Sequence, residues 1–173
     1  RSMKTLSSFF ILLTFLWLPA FNLFAQPEPP PRSITVTPTQ SLHFGTLCLA
    51  SLSSGGGTVS IDWQGYRSST GDVVLLPIAP THTPAIFEIK LCQGRNVVIT
   101  YSPTTILTGT NGGFVTLNIG PTEKGPSGSS FSVNADCNFA TQLRVGGTLI
   151  VGNNSANPGG FYSGSFSITF NQQ

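Results

Sequence analysis

From Ser33 onward, apolar and polar residues alternate in short runs separated by glycine, proline and asparagine. Ile34 and Val36 alternate with threonines, and Leu42 and Phe44 alternate with Ser41 and His43. Val59 and Ile61 sit within Thr58 to Trp63, and Phe87, Ile89 and Leu91 oppose Glu88 and Lys90. The same period of two runs through Asn96 to Tyr101, Phe114 to Ile119, Phe131 to Val133 and Phe166 to Phe170. Such alternation predicts strands with one buried face. Val73 to Ile78 is a continuous apolar run and predicts a strand buried on both faces. Leu143 with Val145 and Leu149 with Val151 predict two strands broken by Gly146-Gly147.

Turn residues fall between these runs, at Gly55 to Gly57, Ser69 to Gly71, Gln93-Gly94, Asn111 to Gly113, Gly125 to Gly128, Asn153-Asn154 and Pro158 to Gly160. No segment after the N-terminal apolar run carries a 3.6-residue apolar repeat with caps. Eight to ten short strands at this spacing predict an all-β domain, and at this size an immunoglobulin-like, Greek-key β-sandwich.

The N-terminus changes the picture. Lys4 precedes the apolar run Phe9 to Leu18, and Phe24-Ala25 then meets the polar Gln26. A basic head, a short apolar core and a small residue before a polar start predict a secretory signal peptide over 1–25. The apolar run is short for a spanning helix, which needs about 20 residues. Gln26 to Arg32 carries four prolines in seven residues. It predicts an extended, polyproline-like spacer over 26–33, ahead of a single β-sandwich domain over 34–173.

Charge adds an exclusion. The chain has eight Lys and Arg against six Asp and Glu, a net of +2. Removing Arg1 and Lys4 with the leader leaves six against six, a net of zero. A neutral and evenly spread set gives no electrostatic footprint for nucleic acid. Three cysteines remain, Cys48, Cys92 and Cys137. An exported chain is expected to form one disulfide from them and leave one thiol over. Three pairings are possible, and the sequence does not choose among them.

No residue pattern announces catalysis or a cofactor. His43 and His82 have no partner at ligand or catalytic spacing, and no GxSxG, HExxH, P-loop or GxGxxG motif occurs. Asp62, Asp72, Glu88 and Asp136 fall on different segments, so no carboxylate pair marks a glycosidase. The expectation is a protein that is not an enzyme and binds no cofactor. Trp63, Tyr66 and Phe161-Tyr162 stand beside glycine turns. Aromatics there either cover a sandwich end or present rings to a glycan or protein partner.

Four stretches resemble one bacterial exported family. They are Ile34-Thr-Val-Thr-Pro-Thr-Gln-Ser-Leu-His-Phe-Gly-Thr-Leu47, Pro84-Ala-Ile-Phe-Glu-Ile89, and the close, Val145-Gly-Gly-Thr-Leu-Ile-Val-Gly152 with Gly160-Phe-Tyr-Ser-Gly-Ser-Phe-Ser-Ile-Thr-Phe170. They are similar to a domain of unknown function, number 4402, and more distantly to spore-coat-U-like and chaperone–usher pilin subunits. The distant resemblance implies an immunoglobulin-like sandwich that assembles by donating a strand.

Two segments then become candidates for assembly. The last alternating run, Phe166, Ile168 and Phe170, carries no Lys, Arg, Asp or Glu to blunt a sheet edge. It reads either as the rim of a groove completed by a neighbour or as an interior strand of its own fold. The matching donor candidate is Ile34 with Val36 behind the spacer, whose plainer reading is a first strand inside its own domain. The expected function is an exported cell-surface structural subunit, pilus- or coat-like, that associates with itself or with other surface subunits. It would travel through the periplasm, where a chaperone is a possible partner. The alternative is a stand-alone surface adhesin or glycan-binding module on the same frame.

Overall fold

The computed structural model describes residues 34–51, 55–92 and 95–173. The expected leader and the spacer over 26–33 lie outside the described residues. The described part belongs to one compact unit, Arg32–Gln173. The described residues form strands and no helix, so no helix there is long and apolar enough to cross a membrane.

Thirteen strands follow one another along the described residues. They are β1 (Thr35–Gln40), β2 (Leu47–Leu49), β3 (Gly57–Ile61), β4 (Arg67–Gly71), β5 (Val73–Leu75), β6 (Ala85–Lys90) and β7 (Asn96–Tyr101). Then come β8 (Thr104–Gly109), β9 (Phe114–Thr122), β10 (Ser130–Ser132), β11 (Thr141–Val151), β12 (Tyr162–Ser163) and β13 (Ile168–Gln172). Every pairing is antiparallel. The large sheet runs β1-β6-β11-β9-β8-β12, with β3 also beside β11 and β4 beyond β3. Two smaller sheets complete the set: β10-β7-β13 and the pair β2-β5. The result is an all-β, immunoglobulin-like β-sandwich.

Alternation explains which face each strand buries. Val59 and Ile61 on β3, Val115, Leu117 and Ile119 on β9, and Leu143, Val145 and Leu149 on β11 are all buried. Val97 and Ile99 on β7 join the same core. Apolar side chains at every second position leave water together, which stabilises folding by about 25 cal/mol per Å² of apolar surface buried. The two layers meet where Phe87 of β6 contacts the rings of Phe166 and Phe170, at centroid distances of 6.4 and 6.0 Å.

Three local expectations need correction. Gly146-Gly147 does not break a strand, because β11 continues from Thr141 to Val151. Its register with β9 shifts between Val145 and Gly147, a bulge at the point where one flank of β11 passes from β6 to β3. A Cβ at Gly146 would collide with the Ile61 carbonyl oxygen, so only glycine lets β3 approach there. Val73 to Ile78 is not a strand buried on both faces. Strand β5 ends at Leu75, before Pro77, and Val74 and Ile78 are exposed. Proline has no N–H to continue a ladder. Ser69 to Gly71 is not a turn but part of β4, paired with β3 from Arg67↔Ile61 to Gly71↔Gly57.

Candidate functional site

The second layer is interrupted. Among the described residues, the sheets β10-β7-β13 and β2-β5 are not hydrogen-bonded to each other. An apolar groove of about 610 Å³ lies between the segment Leu42 to Leu49 and the segment Phe161 to Phe166. Its floor is the inner face of the large sheet, with Leu107, Val115, Leu117, Leu149 and Val151. Phe44 and the half-buried Leu42, Leu47 and Leu49 form one wall, and Tyr162 and Phe166 form the other.

Each wall is held by identifiable contacts. Segment 42–49 begins as a continuation of the β1–β6 ladder, through the His43↔Thr83 bridge, and then passes to β5 as β2. Gly45 makes this change of direction at φ +73°. Arg67 ties the segment down: its guanidinium donates to the Thr46 carbonyl at 2.5 Å and to the Leu76 carbonyl at 3.4 Å. The Arg67 Nε is buried without a hydrogen-bond partner. Burial pushes the Arg67 pKa below its ordinary value. The opposite wall rests on Asn157, a buried amide whose Oδ1 accepts from Gly152 N and whose Nδ2 donates to the Phe114 and Ala156 carbonyls. The Tyr162 hydroxyl donates to the Pro158 carbonyl at 2.7 Å.

This arrangement favours an extended apolar chain over a small polar ligand. Pockets for small ligands combine apolar walls with a few convergent polar groups. Here the buried polar side chain of the groove, Asn157, already has partners for both its oxygen and its nitrogen. Among the described residues, no three His, Cys, Asp or Glu side chains gather as a metal site would require.

The last strand is an edge. Strand β13 pairs with β7 from Ile168↔Tyr101 to Gln172↔Val97, and no strand of the described residues lies on its other side. Phe166, Ile168 and Phe170 are half-buried and pack against the core. The open feature is therefore the backbone of β13, while its apolar side chains face inward. Ile168 and Phe170 thus lie on a strand paired on one side among the described residues, and Phe166 lies just before it.

Ile34 and Val36 sit elsewhere. Val36 pairs with Ile89 in the β1–β6 ladder, and both Ile34 and Val36 pack against the core of their own domain. Of the two readings of that segment, the structure shows a first strand within its own chain. Cys92 is bonded to Cys137, across 45 residues, and Cys48 on β2 is a free, exposed cysteine. The aromatics divide: Tyr66 and Phe161 are exposed, whereas Trp63 and Tyr162 are half-buried. His43 and His82 are exposed.

The comparison with known families gives one match. A model described as Domain of unknown function (DUF4402) matches residues 34–171. The chain belongs to that family. The DUF4402 span begins just before β1 and ends within β13, so it takes in the large sheet, both smaller sheets and the groove between them. Neither a curated protein nor a solved structure matches the chain.

Arg67 is the residue of this DUF4402 domain that sequence reasoning missed. Arg67 to Gly71 contains no apolar residue, so the period-two signal that marks other strands is absent there. A charged residue among serines and threonines reads as a solvated turn until its partners, Thr46 and Leu76, are seen.

Proposed function

We propose that this chain is an exported structural subunit of a bacterial surface filament or coat, and that it assembles by accepting an extended segment from a neighbouring subunit. The observation that carries this reading is the gap in the second layer: a groove floored by core residues, one wall of which ends at Phe166, just ahead of a final strand with an open edge. A chain laid there would add backbone hydrogen bonds to a sheet edge and place alternate side chains on Leu107, Val115 and Leu149. Ile34 and Val36 already fill positions in their own core, and the proline-rich 26–32 offers no alternate apolar residues. The donor is therefore a segment of another surface subunit. Export is supported by the leader-like first 25 residues and by the Cys92–Cys137 bond, which suits an oxidising compartment.

The test is electrophoresis of native cell-surface material in SDS without heating. The reading expects a ladder of multimers containing this chain that collapses on boiling. Monomers alone under all mild conditions would exclude it.

A second reading, a stand-alone binding module for glycan or protein, rests on the open rings of Tyr66 and Phe161, which are 73% and 78% exposed. Aromatic rings on loops suit such contacts. Binding to a glycan array that disappears in Tyr66→Ala or Phe161→Ala would favour it.

A further inference from the structure

The outer face of the large sheet, on the side away from the groove, has an unusual surface. One register row crosses five strands as Thr70, Thr58, Ile150, Thr116 and Ile106. The adjoining row, from Ser68 on β4 to Thr104 on β8, consists entirely of hydroxyl and amide side chains. A third, shorter row pairs Thr108 with Phe114. None of these positions carries a charge. Asp62 and Asp72 appear only beyond the ends of β3 and β4, and on the same outer face Arg144 of β11 and Glu88 and Lys90 of β6 lie to one side of these rows. Ile106, Ile150 and Phe114 are 61%, 46% and 68% exposed.

The hydroxyls are partly satisfied within the sheet. Thr58 and Thr70 share a hydrogen bond at 2.6 Å, and Ser60 and Thr148 share one at 2.8 Å. Covering a polar group is costly when it loses water without gaining a partner. Hydroxyls that already bond across strands reduce that cost, and threonine methyls and isoleucines contribute apolar area. The face is thus cheap to desolvate, with its charges confined to the margin, as in the core and rim of a protein interface.

We propose that this face is a lateral contact between two copies of this chain, packed sheet on sheet. A two-fold contact sets a surface against itself, so any uncompensated charge on it would meet its own like. The charge-free rows avoid that penalty, with Arg144, Glu88 and Lys90 left at their β6 margin. Five strands about 4.8 Å apart and rows about 6.7 Å apart give on the order of 400 Å² per copy. A stable pair of free proteins needs about 800 Å² per partner. The contact is therefore weak between free molecules and becomes effective where copies are held close together, as along a surface assembly. This face lies apart from the groove, and contact through it does not depend on strand addition.

Sedimentation equilibrium of the purified mature chain, from micromolar to millimolar, reads this contact directly. The wild type is expected to show an average mass that rises with concentration. The doubly substituted Ile106→Lys, Ile150→Lys chain is expected to associate at least tenfold more weakly, and a mixture with the Ile106→Glu, Ile150→Glu chain to regain association. Thr104→Lys, at an exposed margin of the face, gives an independent and milder variant with the same expected direction. A wild type that stays monomeric throughout overturns the proposal, as does equal association of all these variants. So does a monomeric wild type that instead pellets with an insoluble neutral polysaccharide.

Discussion

Phe170 of the last strand rests against Phe87 of β6, with ring centroids 6.0 Å apart and planes at 54°. This contact, with Phe166 on the same ring, fastens the edge sheet β10-β7-β13 to the large sheet. A fully buried Phe→Ala change costs about 3–5 kcal/mol. Phe170 is half-buried. Phe170→Ala is therefore expected to cost about 2 kcal/mol in urea unfolding, scaled down from that range. A loss within the noise of an ordinary surface substitution would show that β13 is not anchored through this ring.

The Cys92–Cys137 bond closes a long loop, with a sequence separation of 45. Loop-closure entropy assigns such a bond about 4 kcal/mol. The paired change Cys92→Ser, Cys137→Ser is expected to lower the thermal midpoint markedly, whereas Cys48→Ser leaves it almost unchanged. Alkylation of the native, unreduced chain is expected to modify one thiol per molecule, at Cys48. Two or three modified thiols would contradict the pairing.

Arg67 fixes the groove wall through the Thr46 carbonyl. Hydrogen bonds from charged donors contribute about 1.5–3 kcal/mol when buried, and less where water reaches them. Arg67→Met keeps much of the apolar stem and removes the donors. It is expected to cost about 1 kcal/mol by the same reasoning and to speed amide exchange selectively in 42–49. Uniform exchange across the domain would show that Arg67 does not act on that wall.

Tyr101 supplies a pH dependence. Burial raises its phenol pKa, partly offset by a backbone hydrogen bond from Ser127. A raised folded pKa means that the contribution to stability is complete below the unfolded value near 10 and is lost as pH rises through the folded pKa. The wild type is expected to lose more stability than Tyr101→Phe as pH rises above about 10. Parallel stability curves for the two chains would contradict the shift.

Most of the fold is legible in the sequence because its strands bury one face. Val59 with Ile61, Val115 with Leu117, and Ile168 with Phe170 all signal their strands by period two alone. Strand β4 carries no such signal, since Arg67 to Gly71 has no apolar residue and pairs with β3 at the sheet margin. Strand β11 reads as two pieces because glycine usually interrupts a strand, whereas Gly146 here admits a close neighbour. The edge character of β13 is among the readings of its sequence. The groove is not, because its walls, Leu42 to Leu49 and Phe161 to Phe166, lie far apart along the chain. Local patterning carries no record of which distant segments fail to meet.

We propose that the groove and the open edge of β13 take up a strand from a neighbour, and hydrogen–deuterium exchange on native multimers, compared with monomer released from them and refolded, reads that uptake residue by residue. Strand uptake expects strong protection in multimers of the β13 amides and of 42–49, with little change in β3 or β4. Equal exchange of β13 and 42–49 in the two states would contradict it.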